Sequence, residues 1–177
     1  MKFTKLILIL LTLFFLQACS NTTPETYHQK AVLSTNLVLM GYSPQFFDEI
    51  LELKDKGRLT VFKDNRQQPA TAAEYMEHRL PDLSKNISEI KSLKKTDETE
   101  AMLDASLDFF ENAQKIFNQE YPKIAEMIDA GQPRAATEAA IIQIFETHDP
   151  QMKAKYEKLE KIADSYAKKH DIEVRKL

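Results

Sequence analysis

The chain has 177 residues, and its 24 Lys and Arg residues against 27 Asp and Glu residues give a formal net charge of −3. This balance lacks the excess of positive charge that sequence-independent binding to nucleic acid requires, so we predict no nucleic-acid partner. A single cysteine excludes an internal disulfide and a cluster of thiolate metal ligands. Only three glycines, together with long runs rich in Ala, Glu, Lys, Leu and Ile, favour helix almost throughout the chain.

The N-terminal residues have the pattern of a secretory signal. Lys2 and Lys5 are followed by an uncharged, apolar run over residues 6–16. A membrane-spanning helix needs about 20 apolar residues, so this run is too short to cross a bilayer. Residues 1–18 are therefore predicted to be a cleaved signal peptide, which is not part of the folded domain.

The apolar run ends in Leu16, Gln17, Ala18 and Cys19, and Cys19 is the only cysteine of the chain. These four residues resemble the lipobox of bacterial lipoproteins, in which a Leu, a variable residue and a small residue precede the acylated cysteine. The resemblance implies cleavage after Ala18, a diacylglycerol on the Cys19 thiol, a further N-acyl chain in some members, and hence an anchor in the bilayer. Ser20 resembles the outer-membrane sorting pattern, which implies the periplasmic face of the outer membrane. A plain signal peptide that leaves a free thiol is the alternative.

A short tether is expected between the anchor and the folded domain. Thr23 and Pro24 have the pattern of a helix N-cap followed by the first helical residue, which leaves residues 20–23 outside the helix. Four extended residues span at most about 14 Å. We therefore expect the domain of residues 24–177 to lie close to the membrane surface.

The apolar residues of this domain recur at spacings of three and four, which predicts helices. Prolines at positions 44, 81, 122 and 150 fall inside the helical stretches, where each one kinks, restarts or divides a helix. We predict an all-α fold, an antiparallel bundle of about four proline-interrupted helical rods in a single domain. The rods are expected over residues 24–57, 71–90, 96–131 and from 133 onward.

Two of the rods have informative apolar patterns. Leu33, Leu37 and Met40 form an apolar stripe on rod one, which we expect to face the core. Rod three has two adjacent apolar lines, which predict a wide buried face and a central position in the bundle.

The segment between rods one and two is predicted to be a connection. In residues 58–70 we find one short extended run and no partner strand for it, so we predict no sheet. Thr71 and Glu74 then have the spacing of a capping box, which marks the start of rod two.

Apolar residues at the helix interruptions form the candidate interaction surface, because apolar groups are hardest to bury where helices break. The alternative for the same residues is packing in small clusters beside the core. The candidate residues are Tyr42, Phe46, Phe47, Leu59 and Phe62.

Charge is distributed unevenly along the chain. Residues 151–177 carry a net charge of +3, whereas residues 19–150 carry −8. If the rods alternate in direction, the last rod returns toward the membrane and brings its cations to anionic headgroups. The alternative is that these cations complement the C-terminal dipole of a helix. The candidate membrane-surface residues are Lys168, Lys169, Arg175 and Lys176.

No motif in the sequence predicts a catalytic residue. Glu25 and His28 have the Glu-x-x-His spacing of carboxylate-bridged metal bundles, but that site needs two such motifs and the chain has one. We predict no metal and no cofactor besides the lipid on Cys19.

These observations predict a non-catalytic envelope lipoprotein that presents a helical surface to another envelope protein. Its partners are then the bilayer, through Cys19, and an unidentified protein. The alternative function is a carrier of a small apolar ligand or lipid within the bundle. The residues expected to line such a site are Phe109, Phe110, Phe117, Phe145 and Met152.

Overall fold

A computed structural model describes residues 22–174, which form eight helices and one two-stranded hairpin. The predominance of helix confirms the sequence prediction. No helix in this part of the chain combines the length and apolar character needed to span a membrane. The elements are α1 (Pro24–Val32), α2 (Thr35–Gly41), α3 (Pro44–Asp55), β1 (Thr60–Lys63), β2 (Arg66–Pro69), α4 (Ala72–Arg79), α5 (Leu83–Ser92), α6 (Glu100–Gln119), α7 (Tyr121–Asp129) and α8 (Arg134–Lys169).

The four prolines inside the predicted rods have different effects on the helices. Pro44 is in the first turn of α3 and Pro122 is in the first turn of α7, where the missing N–H has no helical partner to lose. Pro81 lies in the short link between α4 and α5. Pro150 lies inside α8, and the helix continues through it. The whole of α8 is 36 residues, or about 54 Å, long.

Rod one breaks earlier than the sequence predicts, between α1 and α2. Side-chain hydroxyls donate hydrogen bonds to the backbone carbonyls that have no helical N–H partner at the break. The Ser106 hydroxyl donates to the Ala31 carbonyl at 2.7 Å, and the Thr35 hydroxyl donates to the Val32 carbonyl at 2.8 Å. Ser106 is fully buried, so α6 compensates for the broken helix from inside the core.

The prediction that residues 58–70 contain no sheet is wrong. β1 and β2 pair antiparallel, with Lys63 opposite Arg66. Asp64 and Asn65 between them both have positive φ, 50° and 59°, as a two-residue hairpin turn of type I′ requires. Asp and Asn adopt this conformation more readily than most residues, so the turn forms without glycine.

Side chains cap the first turns of α3 and α4, the helices before and after the hairpin. The Ser43 hydroxyl accepts the Phe46 N–H at 3.3 Å at the start of α3. Before α4, the Thr71 hydroxyl accepts the Glu74 N–H at 3.1 Å, and the Glu74 carboxylate accepts the Thr71 N–H at 3.0 Å. The capping box predicted from the sequence is therefore confirmed.

α6 is the central helix, as its two apolar lines predicted, and it contacts α1, α2, α5, α7 and α8. It runs antiparallel to α8. Glu98, just before α6, pairs with Lys169 near the end of α8 at 2.7 Å, and Asp108 further along α6 pairs with Lys155. The residue number increases along α6 from the first pair to the second while it decreases along α8, so the two helices run in opposite directions.

α1 packs beside this pair, with its own direction set by contacts to α5. The Tyr27 hydroxyl donates to the Lys94 carbonyl at 2.8 Å, and Lys30 pairs with Glu89. The start of α1 also interacts electrostatically with His170, at the end of α8. The two ends of the described chain therefore lie at the same end of the molecule.

The substitution Ser106→Ala tests the compensation at the α1–α2 break. It leaves the buried Ala31 carbonyl without a donor, so we expect the free energy of unfolding to fall by about 1–3 kcal/mol in urea denaturation. Ser165→Ala is the matched control, since the exposed Ser165 hydroxyl donates to the Lys161 carbonyl within α8. A loss of less than about 0.5 kcal/mol, as expected for the control, contradicts the role of Ser106.

Candidate functional site

A groove of about 700 Å³ with both apolar and charged walls lies between α1 and the C-terminal part of α8. We call it the α1–α8 groove. Residues 171–174 form a third wall beside the two helices. Its apolar residues are Val32, Leu33, Leu159, Ala163, Ile172 and Val174, and its acidic residues are Glu25, Glu160, Asp164, Asp171 and Glu173.

The third wall exists because of how α8 ends. Asp171 has a φ of +52°, and the Ile172 N–H then donates to the Ala167 carbonyl at 2.9 Å. A left-handed residue followed by this hydrogen bond is the arrangement of a Schellman cap. The cap turns the chain after α8 and places Ile172 and Val174 in the lining of the groove.

An exposed apolar stripe continues from the groove along α2. Leu33 is 66% exposed and lines the groove, Leu37 is 50% exposed, and Met40 is 72% exposed. The expectation that this stripe faces the core is wrong. The buried face of α1 and α2 contains Ala31 and Val38 instead.

The small side chain of Ala31 explains this orientation. The Ser106 hydroxyl reaches the Ala31 carbonyl, which requires a close approach of α1 to α6. Ala31 is completely buried at this contact, whereas a Leu there has no room in a close-packed core. Leu33, Leu37 and Met40 are consequently left on the surface.

The aromatic part of the predicted interaction surface lies mostly inside the protein. Phe47 is fully buried, with its ring centroid 4.6 Å from that of Tyr121. Tyr42 and Phe46 are half-buried against the core, and the Tyr42 hydroxyl donates to Asp149 at 2.8 Å. Phe47 therefore packs in the main core and not in a small cluster beside it, and it provides no surface for a partner.

The hairpin part of the same predicted surface is divided between core and solvent. Leu59 is 5% exposed and belongs to the hydrophobic core. Phe62 is 61% exposed and remains available to a partner.

The candidate membrane-surface cations are partly neutralised by nearby acids. Lys168 is exposed, and Lys169 pairs with Glu98 at 2.7 Å. Arg175 and Lys176 lie outside the described residues. The lipobox residues Leu16, Gln17, Ala18 and Cys19 also lie outside them.

The residues expected to line a small-ligand site are mostly packed against other side chains, and Phe117 also lines a cavity of about 550 Å³. Phe109 and Phe110 are fully buried, with ring centroids 5.5 Å apart. The Asn112 side chain donates to the Met152 sulfur at 2.9 Å. Of the remaining residues, Phe117 is buried and Phe145 is half-buried.

The groove is negatively charged near neutral pH. Among the described residues that line it, none is Lys or Arg. A hydrogen bond from the backbone, with another from Thr23, lowers the pKa of Glu25. Partial burial lowers the pKa of His28, and the nearby Asp164 carboxylate opposes that shift in part. His28 is therefore neutral at pH 7 and does not balance the carboxylates.

Two weak signs of this site are present in the sequence. Glu160 and Asp164 have helical spacing on one face of α8, and rod one has two faces that are both partly apolar. Neither sign identifies the groove, because its third wall depends on the turn at Asp171, which has no glycine to mark it.

The substitution His28→Gln tests the burial of the imidazole. The lowered pKa means that the unfolded chain binds a proton before the folded chain does, so stability falls as pH drops below the ordinary histidine value of about 6.5. We expect His28→Gln to lose less stability than the wild type between pH 7.5 and 5.5 in urea denaturation. The exposed His78 provides the control substitution, His78→Gln, which keeps the wild-type slope. Equal slopes for all three proteins contradict the prediction.

No family model matches the chain, and no curated protein or solved structure is significantly similar to it. Within residues 22–174, no group of three or more His, Cys, Asp or Glu side chains is placed to hold a metal ion. We therefore interpret the site from its own geometry and charge.

Proposed function

We propose that the protein is a non-catalytic lipoprotein of the bacterial envelope that presents a helical surface to another envelope protein. The observation that carries this proposal is the exposed apolar stripe of Leu33, Leu37 and Met40 beside the α1–α8 groove. Single exposed apolar residues are normal on a protein surface, whereas a continuous apolar patch with polar edges is typical of an interaction site.

The stripe can provide the energy for association. Complete burial of a Leu or Met side chain is worth about 1.5–3 kcal/mol relative to exposure. Because Leu33, Leu37 and Met40 are each at least half exposed, a partner that covers them gains much of this energy. The domain does not need the stripe for its own packing, since Ala31 and Val38 already fill the inner face of α1 and α2.

The proposed anchor places this surface near a membrane. In the proposal, Cys19 is acylated and holds the chain on the periplasmic face of the outer membrane, and residues 20–23 are the tether. α1 begins at Pro24 and contributes groove residues from Glu25 onward. A tether of at most about 14 Å keeps this end of the domain close to the bilayer.

We further propose that the four predicted rods form one antiparallel bundle, in which α1, α5, α6 and α8 supply neighbouring helices. The opposed directions of α6 and α8 and of α1 and α5 support this arrangement. The groove then lies between the first and last rods, which are neighbours in the bundle but are not connected to each other by a loop.

Cys19→Ser tests the anchor. Since the thiol is the acylated group in the proposal, radiolabelled palmitate is expected to label the wild-type protein and not the variant, which moves from the membrane fraction to the soluble fraction. Ser20→Ala keeps the thiol and is expected to retain the label. An unlabelled wild-type protein, or a Cys19→Ser variant that stays in the membrane fraction, contradicts the proposed anchor.

A photo-crosslinking residue at Leu37 tests the interaction surface in intact cells of the native host. We expect ultraviolet light to join the protein to one other polypeptide, because Leu37 lies in the exposed stripe. The control positions are Phe62, on the hairpin, and Lys115, which is exposed on α6 outside the groove.

The result at these three positions decides the proposal. A polypeptide adduct at Leu37 alone supports it. An adduct at Phe62 alone assigns the interface to the hairpin, and adducts at Leu37 with lipid alone favour the carrier function instead.

A further inference from the structure

The α1–α8 groove combines exposed acidic residues with apolar residues, of which Leu159 and Ala163 are buried. Glu25 is on α1, Glu160 is on α8, and Glu173 is in the segment that follows α8, so each of the three walls contributes a carboxylate. The described lining contains no Lys or Arg to neutralise them. A surface of this kind attracts a partner that is positively charged at its edges and apolar in the middle.

The apolar centre of the groove is accessible to such a partner. Leu33 is 66% exposed and Val174 is 41% exposed, and they belong to different walls. Val32 and Ile172 are half-buried beside them. Leu37 and Met40 extend the same apolar surface along α2, so the contact does not end at the groove.

The length of the groove indicates the size of the partner segment. On one side its lining runs from Glu25 on α1, across the helix break, to Asn36 on α2, and twelve residues correspond to about 17 Å at the helical rise. A helix of about three turns has this length. An amphipathic helix that lies in a groove places apolar residues at spacings of three and four against the centre, with its polar residues along the edges.

We infer that the α1–α8 groove binds a cationic amphipathic helix of about three turns, contributed by the partner protein. This inference rests on the proposed function and adds the chemical class of the partner. Lys and Arg residues along the edges of the helix meet the carboxylates of Glu25, Glu160 and Glu173. Its apolar line covers Leu33 and Val174.

The negative charge of the groove favours this helix over two other possible occupants, an anionic bilayer and a second copy of the chain. An anionic bilayer surface is repelled by the carboxylates of the groove. A second copy of the chain in a symmetric dimer places the same acidic groove against itself, which brings like charges together. A basic helix is the occupant that both the apolar centre and the acidic edges attract.

A binding measurement with synthetic helices tests the inference. The full chain is placed in nanodiscs of zwitterionic phosphatidylcholine, and empty nanodiscs serve as the blank. The probe is a fluorescein-labelled helix of about three to four turns with one line of leucines flanked by lysines, and its control has glutamate in place of every lysine. Fluorescence anisotropy is expected to show saturable binding of the lysine helix alone, which weakens as salt is raised.

Two matched pairs of substitutions locate the binding. Glu160→Gln with Glu173→Gln removes two charges from the groove and is expected to weaken binding about tenfold, or about 1.4 kcal/mol. Glu77→Gln with Glu146→Gln removes two exposed charges outside the groove and is expected to leave binding unchanged. Leu33→Ser is expected to weaken binding without loss of helical circular dichroism, because its side chain is mostly exposed.

Several results overturn the inference. They are equal binding of the lysine and glutamate helices, equal effects of the two charge pairs, or unchanged affinity in Leu33→Ser. Capture of nanodiscs that contain anionic lipid, or a dimer of the chain that is lost in Leu33→Ser, assigns the groove to one of the other occupants. A polypeptide adduct at Leu37 without binding of the lysine helix leaves the proposed function standing and refutes the partner class alone.

Discussion

The hydrogen bond from the Ser106 hydroxyl to the Ala31 carbonyl determines how the first two helices lie on the central helix. It lets α1 end inside the protein without leaving a buried carbonyl unpaired, a defect that costs about 1–3 kcal/mol. The contact needs a small residue at position 31, and Ala31 is fully buried there. Once this face of α1 is against α6, Leu33 and Leu37 have to face outward, and the surface that we assign to a partner follows from a contact in the core.

The other half of the groove depends on the end of α8. α8 has 36 residues, and the left-handed turn at Asp171 changes the chain direction after it. The Ile172 N–H then donates to the Ala167 carbonyl. Ile172 then packs against the core, and Glu173 and Val174 line the groove beside α1. The same short segment thus contributes an apolar contact, an apolar wall and a carboxylate.

The sequence predicted the elements whose signals are local. The Thr71 capping box and the helix start at Pro24 are recognised from neighbouring residues, and the structure has them. The β-hairpin was missed because β2 reads Arg-Gln-Gln-Pro, which has no apolar alternation, and because its turn uses Asp64 and Asn65 where glycine is the usual signal. The backbone hydrogen bonds to β1 make this segment a strand, and the residues of β2 alone do not predict them.

The orientation of α1 could not be predicted for a different reason. Tyr27, Ala31 and Val38 have helical spacing, and so do Leu33 and Leu37, so two faces of rod one compete for the core. Hydrophobicity alone favours the face with the larger side chains, whereas the close approach of α6 favours the face with Ala31. The close approach of α6 outweighs the larger transfer energy of Leu33 and Leu37, so the face with Ala31 is buried. The two faces therefore affect different properties. Changes on the inner face alter stability, whereas the outer face is open to the partner that we propose.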